Sequence, residues 1–188
     1  MNNLILVKHS LPEIVSTVPA KEWRLSQSGQ MRCMALAEKL EPFLPDVIIS
    51  STEPKAIETA QIVAKKFNKP FSTVDGLQEH DRTGVDLLEK EQFESKVKEF
   101  FDRPESLVFG RETASQSLAR FSEALFSIEV EHPDKNIVII AHGTVITLFV
   151  DKFNTVEAFS FWRKLDLPAF VVLSLPQHKL VKIVEGVV

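Results

Sequence analysis

The chain has no tyrosine, a single cysteine and only six glycines among its 188 residues. One thiol cannot form an internal disulfide, so no covalent staple holds the fold, and this cysteine usage fits a reducing cytosol. Cys33 sits in the stretch MRCMALA. That apolar helical pattern reads as core, where a thiol behaves as a small hydrophobe. Basic residues form no stripe. They are interspersed with acids to a net charge of -4, which argues against a nucleic-acid surface. No run approaches the roughly 20 apolar residues of a membrane helix. The N-terminus lacks the basic region and long apolar core of a secretion signal. The expectation is a cytoplasmic protein with no membrane or nucleic-acid partner. Fourteen phenylalanines stand beside the missing tyrosine, a bias for which the sequence supplies no physical reason.

What is present is enough apolar residue, 44% against 26% charged, to bury a sizeable core. The length predicts one domain, residues 1–188. Short unbroken apolar runs at 4–7, 47–49 and 137–141 read as strands buried on both faces. A weaker strand falls at 71–74. Residues 169–175 and 180–184, around Pro176-Gln177-His178, read as a hairpin. Between these lie helical patterns at 31–40, 54–67, 88–101, 112–130, 145–153 and 155–164. Residues 10–25, with Pro12 and Pro19, read as loop. In the second helix Ile57, Ala60, Ala64 and Phe67 recur at i, i+3, i+7 and i+10, and Pro54 suits the first turn. Alternating strands and helices predict an α/β fold. Its architecture is three-layer α/β/α around a mostly parallel central sheet, with an antiparallel addition at one edge. Strand order is not readable from spacing.

In such sheets ligands bind beyond the carboxyl ends of the strands. Lys8-His9-Ser10 follows the first strand, Ser50-Ser51-Thr52 and Lys55 the second, Glu79-His80-Asp81-Arg82 the third, and His142-Gly143-Thr144 the fourth. Two histidines, two lysines and a carboxylate at one edge suit phosphoryl chemistry. A neutral imidazole can attack phosphorus and hold it covalently. Cations balance the charge on the phosphoryl oxygens. A carboxyl group must protonate the leaving oxygen and later deprotonate water. Gly143 admits close backbone approach, and a helix starting there favours anions. Lys55 opposes the helix macrodipole in a first turn, which calls for an anion beside it. Taken singly, His9 or His142 reads as an ordinary structural histidine, and Lys8 or Lys55 as a solvated lysine. His80, His132 and His178 read as surface or supporting residues. Trp23 and Trp162 read as packing, with a pocket lining as the alternative.

At these residues the sequence resembles the histidine phosphatase superfamily, which includes the cofactor-dependent phosphoglycerate mutases. LVKHS (6–10) looks like that family's L-V-R-H-G signature and LSQSG (25–29) like its LSxxG helix start. SSTEPKAIETA (50–60) is similar to its SSxxxRAxxTA segment, LQE (77–79) to its LxE element, GRETASQSLARF (110–121) to its GES…RF stretch and AHGTVI (141–146) to its HG motif. The motifs run in the family's order over nearly the whole chain. The resemblance implies a phosphoglycerate mutase-like fold, His9 as the phosphorylated nucleophile, Glu79 as acid and base, and His142 as the second histidine. Lys8, Lys55, Ser10, Gly143 and Thr144 would bind phosphate. Lysine stands where the family has arginine at both 8 and 55, and it is a point charge rather than a bidentate fork. Arg24, Arg82 or Arg111 could compensate, Arg24 being preferred because it precedes the LS element. The implied activity is hydrolysis of a small phosphorylated metabolite, as in histidine acid phosphatases, with no metal and no organic cofactor. Residues 79–113 would cover the site and set specificity. The alternatives are a catalytically weak phosphate-binding or regulatory protein, a mutase, and a protein phosphohistidine phosphatase. The sequence leaves the oligomeric state open.

Overall fold

The computed structural model describes residues 2–187. Six strands form one sheet: β1 Asn3–Lys8, β2 Val47–Ser50, β3 Ser72–Thr73, β4 Ile137–Ala141, β5 Ala169–Ser174 and β6 Lys179–Val184. Six α-helices accompany them: α1 Gln27–Leu40, α2 Pro54–Phe67, α3 Lys90–Asp102, α4 Ala114–Glu131, α5 Gly143–Phe153 and α6 Ala158–Lys164. The strand order is β3-β2-β4-β1-β5-β6. The first four strands pair in parallel, while β1 with β5 and β5 with β6 pair antiparallel. The mostly parallel sheet and its terminal hairpin agree with the sequence reading.

Side chains alternate across each strand and so supply two separate cores. Leu4, Leu6, Ile137, Ile139 and Val171 pack with Phe121 and Leu125 of α4 and with Ile146, Phe149 and Val150 of α5. Ile5, Val7, Ile48, Val138 and Ile140 face the other way, onto Leu36 and Leu40 of α1 and Ala60 and Val63 of α2. Every residue of β4 is buried, which is why its sequence does not alternate with polar residues. A third, smaller cluster joins Phe100 of α3 to Ala114 and Leu148.

Helix starts differ from the apolar periodicity. α1 begins four residues before Met31, because Ser26 caps it by accepting from Gly29 N at 3.0 Å. Its first turn is polar and leaves no hydrophobic signal. α4 begins at Ala114 rather than at 112: Thr113 and Gln116 form a reciprocal capping box. Glu112 is left outside the helix and pairs with Arg120. α6 starts at Ala158, three residues late, with Glu157 accepting from Phe159 N and Ser160 N. The strand at 71–74 shrinks to two residues.

The loop after β1 is fastened to α1. Ser26 N donates to Leu11 O, and the Ser10 hydroxyl donates to Gly29 O at 2.7 Å. A Cβ on Gly29 would lie 2.0 Å from Leu11 O, a clash with backbone that no rotamer relieves. Gly29→Ala is therefore expected to destabilise by about 1–3 kcal/mol. Thermal unfolding should show a Tm fall of roughly 2–4 °C for each kcal/mol lost.

Candidate active site

Three parallel strand ends meet at one edge of the sheet. His9 N donates to Ala141 O at 3.0 Å, and Ser51 N to Ile140 O at 2.8 Å. Beyond these last rungs the chains diverge and present His9, Ser51 to Lys55, and His142 to one space. The two imidazoles lie edge to face with centroids 5.1 Å apart. His9 Nδ1 is 2.7 Å from Ser10 O. A carbonyl can only accept, so Nδ1 carries the proton and Nε2 keeps its lone pair. Burial, then His142 and Lys55, hold the His9 pKa well below the usual histidine range, so the ring is neutral at physiological pH.

His142 is fully buried. Its Nε2 lies 2.9 Å from Ser51 Oγ. That hydroxyl also accepts from Glu53 N at 3.3 Å. His142 Nδ1 is buried and has no hydrogen-bond partner among the described residues. Burial, then Lys55, also keep this ring below the usual range. The His142 ring is thus neutral in the ligand-free protein, not an imidazolium.

Lys8 is nearly buried and donates to Leu165 O at 2.5 Å. Burial lowers its pKa to about 8, against the opposing pull of Glu79 and Asp166. A Cβ on Gly143 would lie 3.2 Å from Lys8 Cε and 3.3 Å from Trp162 Nε1, so glycine there makes room for both side chains. Lys55 is 6% exposed. Its ammonium donates to Ala20 O at 2.8 Å and ion-pairs with Glu53.

Glu53 belongs to the cluster, and sequence reading did not single it out. Its Oε2 meets Lys55, and its Oε1 accepts from Glu79 N at 2.9 Å and lies 3.5 Å from His142 Nε2. The macrodipole argument for an anion beside Lys55 was a usable signal, and the anion resident there is this carboxylate two residues away. Glu79 accepts from His80 N at 3.0 Å and Thr144 N at 3.3 Å. Burial alone would raise its pKa. Arg82, then His142 and the His80 N–H, outweigh that and set it below the usual glutamate value.

Of the remaining expected residues, Thr144 joins the cluster, its Oγ1 accepting from Arg82 at 3.3 Å. Ser10 lends its carbonyl to His9, but its hydroxyl is spent on Gly29. Arg24 is not brought in. Its side chain is 74% exposed and ion-pairs with Glu58 at 2.7 Å. Arg111 is exposed. Arg82 is the arginine at the cluster, 3.2 Å from Glu79 Oε2. Trp23 pins its own loop through Val15 O and Val18 O. His80 and His178 are buried rather than superficial: His80 packs on Phe100 and Phe109, and His178 bonds Glu129 at 2.8 Å. Among the described residues, no three His, Cys, Asp or Glu side chains converge as metal ligands would, and no helix is long and apolar enough to cross a membrane.

The family model of the histidine phosphatase superfamily (branch 1) matches residues 4–182. The chain belongs to that superfamily. A curated member, the uncharacterized phosphatase PhoE of Bacillus subtilis, is 25% identical over 122 residues, spanning 65% of this chain and 60% of that protein. A mycobacterial glucosyl-3-phosphoglycerate phosphatase superposes with TM-score 0.76 at 18% identity, covering 100% of this chain and 98% of the other. A phosphoserine phosphatase mutant of Entamoeba histolytica gives 0.76 at 19%, covering 97% and 96%. YhfR of Bacillus stearothermophilus gives 0.75 at 20%, covering 100% and 98%. At these identities the likeness to the solved structures is one of fold, and it agrees with the phosphoglycerate mutase-like architecture expected from the motifs.

For this superfamily member the Lys8 pKa has a consequence for anion binding. As pH rises through about 8, the ligand-free protein loses a cation, whereas inorganic phosphate is already a dianion. Calorimetry should show phosphate affinity falling above pH 8. Lys8→Met should flatten that limb and bind about tenfold or more weakly at pH 7, the value of a charge-assisted hydrogen bond.

Proposed function

We propose that the chain is a phosphomonoesterase acting through a phosphohistidine on His9, without a metal. The observation that carries this reading is the His9 tautomer: the Ser10 carbonyl fixes the proton on Nδ1 and leaves Nε2 free, beside a second buried imidazole. His9 Nε2 attacks phosphorus. The N–P bond forms as the P–O bond to the leaving alcohol breaks, and Glu79 gives that oxygen a proton. Water then attacks phosphorus, Glu79 takes its proton, and the N–P bond breaks to release phosphate. Lys8, Lys55 and His142 balance charge on the phosphoryl oxygens. The first turn of α5, at Gly143 and Thr144, adds its dipole. Lysine in place of the family's two arginines supplies charge without a bidentate grip. The substrate is a small phosphorylated molecule, and residues 79–113 cover the site.

Ligand-free Glu79 is ionised and paired with Arg82. It must gain a proton before it can act as the acid. A phosphate dianion beside the carboxylate disfavours its ionised form and so raises its proton affinity. Catalysis should therefore favour the acidic side of neutrality: the protonated fraction of Glu79 falls as pH rises, while burial holds His9 below the usual histidine range.

A second reading, a weakly catalytic phosphate-binding protein, has one observation behind it: Lys55 is already neutralised by Glu53.

Hydrolysis of p-nitrophenyl phosphate from pH 5 to 8 with EDTA tests the first reading. Wild type should turn over and His9→Ala should not; phosphate binding without turnover in wild type would favour the second. Glu79→Gln should separate substrates by leaving group. An alkyl phosphate needs the acid and should lose about 10²–10⁴-fold in kcat/KM, whereas p-nitrophenyl phosphate, with its good leaving group, should lose far less.

A further inference from the structure

The leaving group of a phosphomonoester must lie on the side of the acid, Glu79. The residues on that side are aromatic. Arg82 reaches from Glu79 Oε2 and Thr144 Oγ1 to lie with its guanidinium carbon 4.8 Å from the centre of the Phe93 ring. Phe93, on α3, is 5.9 Å from Trp162 on α6. Trp162 stacks on Phe159 at 6.0 Å with an interplanar angle of 15°. Its Nε1 comes back to the catalytic edge beside Gly143, next to the Lys8 stem. The chain of contacts thus runs from the acid through Arg82, Phe93 and Trp162 to the phosphate-side lysine. Phe93, Trp162 and Phe159 are each half-buried, so each ring leaves part of its area exposed. Arg163 Nε lies 3.7 Å from Glu94 Oε2 and helps to hold the two helices together.

We propose that Phe93 and Trp162 form the leaving-group subsite of the phosphate site, and that it takes an aromatic phosphomonoester whose ring packs against theirs. This rests on the phosphomonoesterase reading and narrows its substrate class. Partly exposed aromatic rings beside a phosphate site gain most from a flat apolar guest. A carboxylate-bearing phosphometabolite is the worse fit. Of the cations that lie over these rings, Arg82 is already engaged by Glu79 and Arg163 by Glu94.

Phosphonates test this without requiring turnover. Calorimetry would give Kd for inorganic phosphate, methylphosphonate, 2-carboxyethylphosphonate and benzylphosphonate. Benzylphosphonate should bind about tenfold or more tightly than methylphosphonate, the worth of largely burying a ring. In Phe93→Ala and Trp162→Ala that ratio should fall to within about threefold, and in Phe93→Leu, which keeps apolar area, it should be partly retained. Far-UV circular dichroism and Tm show that each variant is folded, and a ratio of two ligands on the same variant is insensitive to partial loss of folded protein. Phosphate binding with no preference for benzylphosphonate, or with carboxyethylphosphonate the tightest, would overturn the subsite alone. No binding of phosphate or of any phosphonate would overturn the phosphate site and the subsite with it.

Discussion

The parallel pairing of β1 with β4 is the constraint on which the site depends. Lys8 is in register with Ala141, and His9 N–H closes the last rung on Ala141 O at 3.0 Å. Both strands then release their chains at the same level, and each releases a histidine. That common exit sets the two rings 5.1 Å apart. A one-residue slip of either strand would send its apolar set to the opposite face and turn the histidine away. Leu4 to Val7 and Ile137 to Ala141 are buried on both faces of the sheet, so such a slip would disrupt both cores at once. Hydrophobic burial thus fixes the register that brings the two histidines together.

The polar residues are charged groups that the fold partly desolvates and then pairs. Glu53 answers Lys55, and Arg82 answers Glu79. Among the described residues Lys8 bonds a carbonyl, Leu165 O, and no carboxylate comes within ion-pair distance; burial moves its pKa toward neutrality. Below about pH 8 its ammonium is charged in the folded and the unfolded chain alike, so the burial cost is present in full. The cost is relieved as pH rises toward the unfolded value, because the folded state gives up the proton first. A buried cation with no carboxylate of its own contributes little to folding and suits an arriving anion. In this light the ligand-free site is close to neutral: each of its other two cations already faces a carboxylate.

Much of the site was legible because strand ends are legible. Apolar runs mark where a parallel strand stops, and the residue types that follow, Lys8-His9, Lys55 and His142-Gly143, are those that phosphoryl chemistry requires. Arg24 was misplaced for a simple reason. Proximity in sequence to the LS element says nothing about side-chain direction, and Glu58 on the neighbouring helix claims the guanidinium. Glu53 escaped notice because a glutamate at a helix start has an ordinary explanation in the macrodipole. Here its side chain makes no cap bond and turns inward instead. Helix starts at Gln27 and Ala114 were hidden because capping is polar and local, whereas periodicity reports only the buried stripe.

The sequence by itself determined the layer architecture, the strand and helix inventory, and which ionisable residues follow the strand ends, because all of these are written in local patterns of residue type. Only the tertiary structure decided the strand order, the partner of each charged group and the aromatic residues that α3 and α6 bring to the acid's side. Those depend on which elements pack together. Arg82 is held by Thr144 and Phe93, 62 and 11 positions away, and Lys8 by Leu165, 157 positions away. Distances of that kind along the chain carry no signal until the sheet has closed them.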